Sequence, residues 1–244
     1  MRKINKSFLI YLIIVSIFNL LLVFVTSILA KKHLFFFLTF WSFWMNTFYF
    51  IIVTITDIYQ FFFQNFRYEK INYFFRNTYS RFSFPLSYSI TIIYWILYFL
   101  GNNFLRVRKG FLPYCFHIYM HGIITILLLI DLIMNYHEYK PYNYKEVIII
   151  SFIYFLYVMN AAFAKYFFNS CPYAFMEKAS LNQLIISSLI MYMIVLNCYQ
   201  IHVLLLKIKN DKINKKNREE INNIVNDNSE IREIKIAISK NSIN

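Results

Sequence analysis

Runs of about twenty apolar residues alternate with short polar stretches along most of this chain, and that rhythm sets the elements it predicts. A helix rises about 1.5 Å per residue, so roughly twenty residues cross a hydrocarbon layer of about 30 Å. Six runs qualify: Phe8 to Ala30, Leu34 to Thr56, Phe82 to Leu100, Phe111 to Ile133, Val147 to Phe168 and Leu184 to Leu206. The prediction is an all-α fold, a polytopic transmembrane helix bundle of about six spans, because a helix satisfies its own backbone groups where lipid offers none. The first run, flanked by Lys6 and Lys31, is longer than a signal-peptide core of about 7–15 residues and reads as a retained anchor. The aromatic stretch Tyr59 to Phe66 suits the membrane interface. Residues 207–244 are a polar tail with nine basic and six acidic side chains, expected to be mobile or interfacial.

Composition agrees with the pattern: 59% of residues are hydrophobic and 15% charged, too apolar for a water-facing surface. The net charge of +13 sits in loops and tail, not along one soluble face. Nucleic acid is therefore not expected, and anionic lipid headgroups near the basic loops are. With the N-terminus in the cytosol, that side carries eighteen Lys and Arg against seven, so the positive-inside rule predicts cytosolic N- and C-termini. An endomembrane, such as the endoplasmic reticulum, or the plasma membrane is the expected setting. Three glycines leave no phosphate-binding loop, and Cys115, Cys171 and Cys198 form neither a disulfide framework nor a zinc knuckle. No cofactor or metal is implied.

Polar residues inside the runs narrow the chemistry. In lipid each is either a hydrogen bond between helices or part of a site. The second run carries Thr39, Asn46 and Thr47 and ends near Asp57; the fourth carries His117 and His121 and ends near Asp131 and His137. Thr39 and His121 fall in the same half of the bilayer, about five residues, or roughly 7–8 Å, apart in depth. A neutral imidazole that removes a hydroxyl proton as the oxygen attacks a carbonyl is the minimum for acyl transfer. On spacing alone the ordinary reading is that each residue bonds its own or a neighbouring helix. His117 and His121 share a helix face, yet two ligands do not complete a metal site, and five dispersed histidines exclude the histidine boxes of membrane di-iron enzymes. Asp57 and His137 are expected to pair at the interface and hold the second and fourth spans together.

An ordered set of segments adds to this. LTFW at Leu38 to Trp41, the span ending at Asp57, FPLSYSITIIYWILYF from Phe84, FLP at Phe111, His121 with its apolar run to Asp131, HEY at His137 and PYAFME at Pro172 occur in sequence. Over roughly residues 34–206 the chain resembles the integral membrane hydrolases named for the androgen-induced gene and the androgen-dependent TFPI-regulating protein. The resemblance implies a threonine-type hydrolase of lipid esters, with fatty acid esters of hydroxy fatty acids as substrates. It puts the nucleophile at Thr39 and the general base at His121. Ala174 replaces the family's second proline, and His117 stands four residues before His121 where a histidine three before is usual. Tyr119 and Tyr173 are candidate oxyanion donors. The rival reading is a transporter or scaffold without enzymatic activity in which the same residues only join helices.

Overall fold

In the computed structural model, residues 6–30, 38–63, 66–100, 116, 118–135, 137–168 and 179–241 are described. The elements are α1 (Lys6–Ala30), α2 (Leu38–Phe63), α3 (Phe66–Phe74), a first π turn (Phe75–Tyr79), α4 (Ser80–Leu100), a second π turn (Tyr119–Ile123), α5 (Ile124–Met134), α6 (Tyr144–Phe168) and α7 (Leu181–Asn241). Among the described residues there is no strand. Five helices are long and apolar enough to cross a membrane, and the second π turn with α5 adds a shorter apolar helix, Tyr119–Met134. These are the six runs of the sequence. The Lys31–His33 turn, the FLP and PYAFME segments, Cys115, Cys171, His117 and Tyr173 lie outside the described residues.

The chain is apolar inside and outside, as a bilayer-embedded bundle requires. Ile10, Ile14, Phe24, Phe99 and Phe152 point outward with more than half their surface exposed. Packing centres on α4, which touches α2, α5, α6 and α7, while α1 lies along α2. One apolar cluster joins α1, α2, α4 and α5 through Leu12, Phe43, Phe50, Phe84 and Leu128. The other joins α2, α4, α6 and α7 through Leu38, Ile90, Tyr157 and Tyr199.

Hydrogen bonds rather than apolar contact alone fix the helices to one another, because lipid is as apolar as their side chains. Ser16 Oγ and Thr54 Oγ1 lie 2.7 Å apart. Tyr11 donates to Leu127 O at 2.9 Å, and Tyr119 to Asn19 Oδ1 at 2.9 Å. The first helix is thus bonded into the bundle, which a detached anchor would not be.

Two boundaries differ from the sequence expectation. The stretch before Phe82, expected as a basic loop, is helical from Phe66, and its Arg76 and Arg81 are 3% and 1% exposed. Arg81 donates to Glu146 Oε2 at 2.7 Å and to Pro141 O at 3.2 Å. Burial with a partner, not hydropathy, keeps these turns helical. At the other end α7 continues past Leu206 to Asn241 without a break.

Candidate active site

One face of α2 carries polar groups along its whole length. Thr39, Ser42, Asn46, Tyr49 and Asp57 recur at intervals of three and four, with one wider gap filled by Val53, and all six are buried. Helical periodicity therefore threads a polar stripe through an otherwise apolar bundle, and the stripe has two ends.

At the Thr39 end, α2 packs on α4. Leu38 belongs to the cluster that holds Leu86, Ile90 and Ile93. One turn further, Ser42 Oγ lies 2.8 Å from Ser87 Oγ, to which Asn46 Nδ2 also donates at 2.5 Å. Thr39 itself is 6% exposed.

His121 packs on α4 at Tyr94 and Trp95. Its ring lies flat on Tyr94, with centroids 3.7 Å apart and planes 5° from parallel. Trp95 Nε1 donates to His121 O at 3.1 Å, and Thr91 Oγ1 lies 2.6 Å from Thr125 Oγ1 one turn on. The histidine sits at the centre of the second π turn, Tyr119–Ile123. A π turn holds one residue more than an α turn, which swings the side chains that follow about the axis and opens carbonyls to outside donors; such turns are frequent at functional sites. Gly122 follows His121, and a Cβ there would meet Trp95 only at 4.0 Å, so the indole is accommodated without strain.

The segments carrying the two residues also touch each other. Phe43, one turn beyond Thr39, meets Tyr119 edge to face at 6.2 Å. Both residues are buried; His121 packs on α4 at Tyr94, and Leu38, next to Thr39, belongs to the cluster that holds Leu86, Ile90 and Ile93. The candidate oxyanion donor Tyr119 is corrected: its hydroxyl is given to Asn19. Asn46 is likewise committed to Ser87 and Ser42.

The Asp57 end is ionic. Arg76 Nη2 donates to Asp57 Oδ2 at 2.6 Å, and its Nη1 lies 3.6 Å from Asp131 Oδ1. Asp131 accepts from Tyr49 OH at 2.5 Å and from Asn135 Nδ2 at 2.6 Å, and His137 Nε2 lies 3.1 Å away. His137 Nδ1 donates to Arg76 O at 2.7 Å. Asn72 bonds both Asp57 and Arg76. The expected Asp57–His137 pair is therefore replaced by Asp57–Arg76 and Asp131–His137, joined through Arg76 and buried to 4% or less. Arg76 was concealed in the sequence because a basic residue between two apolar runs reads as loop.

Among the described residues no group of three or more His, Cys, Asp or Glu is placed to hold a metal. No curated protein and no solved structure matches the chain. A family model described as FAR-17a/AIG1-like protein matches residues 6–207, which extends the resemblance back through α1. Six apolar helices, the ordered segments from Leu38 onward and a match over most of the length converge: the chain belongs to the FAR-17a/AIG1-like family of multi-pass helical membrane proteins.

Proposed function

We propose that this protein is an intramembrane hydrolase of lipid esters, acting on fatty acid esters of hydroxy fatty acids. Thr39 Oγ1 attacks the ester carbonyl while His121 takes its proton. His121 returns that proton to the departing alkoxide; the same ring then takes a proton from water as the water oxygen attacks the acyl-threonine carbonyl, and gives it to Thr39 Oγ1 as the acid leaves. The observation that carries this reading is the π turn centred on His121, whose ring is laid on Tyr94, together with the contact of that turn with α2 at Phe43, one turn beyond Thr39. Family membership supports the resemblance that puts the nucleophile at Thr39 and the base at His121.

The surroundings favour lipid substrates. Both residues are enclosed by aromatic and aliphatic side chains, and the bundle's outer surface is apolar, so an acyl chain can enter from the bilayer rather than from water. In this reading the basic tail and the N-terminus face the cytosol and the reacting pair lies in the opposite half of an endomembrane or the plasma membrane.

A fluorophosphonate probe tests the nucleophile. Wild type becomes labelled, and Thr39→Ala does not. Equal labelling of both proteins would remove Thr39 from the reaction.

A further inference from the structure

A groove of about 580 Å³ runs between α5 and α7 at the Asp57 end of the bundle. Leu129 and Ile133 form one wall, Leu205 and Ile208 the other, and Lys209 and Lys212 stand at its polar end. Ile133 and Ile208 are 69% and 46% exposed, so the groove opens outward to whatever surrounds the bundle. It lies apart from Thr39 and His121: Leu132 follows His121 by eleven residues, about 16 Å along the helix.

We propose that this groove binds an anionic phospholipid, with one acyl chain between α5 and α7 and the phosphate at Lys212. Shape and charge both select that occupant. The apolar walls would be left facing water in any soluble complex, whereas a hydrocarbon chain matches them.

The basic end is built rather than incidental. Lys209 Nζ donates to the carbonyls of Leu132 and Asn135 at the end of α5, which fixes α7 against that helix and closes the groove there. Lys212 stands one turn further on the same face of α7, exposed at the level where a headgroup would sit. Among the described residues that line the groove none is acidic to compete with a phosphate. A lysine near a membrane surface favours anionic lipid, and its long stem lets the ammonium reach the headgroup from an apolar wall.

Native mass spectrometry of the full chain in neutral detergent tests this with dioleoylphosphatidylglycerol and dioleoylphosphatidylcholine. Wild type retains the phosphatidylglycerol about fivefold better. Lys212→Glu erases that preference, and Ile208→Trp, which fills the groove, lowers retention of both lipids. Lys212→Gln gives the same direction of change at an already exposed position, so a folding failure of the glutamate variant leaves the test intact. Equal retention of the two lipids by wild type, or an unchanged preference in Lys212→Gln, overturns the proposal. Retention of glycerophosphoglycerol as strong as that of the intact lipid also overturns it, because the anion would then bind without the groove. None of these readouts involves ester hydrolysis, so they stand or fall separately from the reaction proposed for Thr39.

Discussion

The two π turns of this bundle carry a cationic or titratable side chain each, and they use it differently. The first, Phe75–Tyr79, presents Arg76 to Asp57 and Asp131, and its Arg76 carbonyl accepts from His137 and Ser80. The second, Tyr119–Ile123, presents His121 to the face of Tyr94, and its His121 carbonyl accepts from the Trp95 indole. In both, an outside side chain takes the backbone oxygen that the widened turn leaves open. The first turn ties α2 and α5 to itself by ion pairs of Arg76 with Asp57 and Asp131. The second ends in an aromatic stack and an indole hydrogen bond. One arrangement locks helices together, and the other, in the reading proposed above, holds the base in a fixed orientation.

If that division is right, changes at the first turn move stability and changes at the second move activity. Arg76→Ala leaves Asp57 and Asp131 buried without their cation, and thermal unfolding of the purified protein should fall by about 3–5 kcal/mol. Tyr49→Phe withdraws one donor from the Asp131 carboxylate while keeping the ring packed, and should cost about 1.5–3 kcal/mol in the same assay. Trp95→Phe removes the bond to His121 O and should cost only about 1 kcal/mol in unfolding. It should nevertheless lower ester hydrolysis by roughly a hundredfold if it shifts the ring by about 1 Å. A Trp95→Phe protein that loses stability but keeps its rate would erase the distinction between the turns. The smallest effect is expected at Ser42→Ala, about 0.6 kcal/mol, because Asn46 and Ser87 still bond each other.

The spans were legible in the sequence because the cost of exposing backbone to lipid forces long apolar runs, and long runs are hard to mistake. That Thr39 and His121 are buried within the bundle was legible for the same reason, since both lie inside such a run. Arg76 and Arg81 were not. Their helical, buried placement depends on Asp57, Asp131 and Glu146, which are distant in sequence, so local composition assigned them to a solvated loop. Neither π turn was legible, because one extra residue in a turn shifts periodicity by less than a short window resolves. Asp57 and His137 were recognised as polar anchors but matched to each other, when Asp57 is bonded to Arg76 and His137 to Asp131. The lesson is local: hydropathy located the helices, and buried ion pairs decided where two of them begin.

The central claim is that Thr39 and His121 act together on an ester. It is tested most directly by the hydrolysis rate of a branched fatty-acid ester with purified wild type, Thr39→Ala and His121→Ala, each checked for an unchanged unfolding transition. The account predicts that each variant loses at least about 100-fold in rate while remaining folded. Undiminished hydrolysis by either folded variant would contradict it.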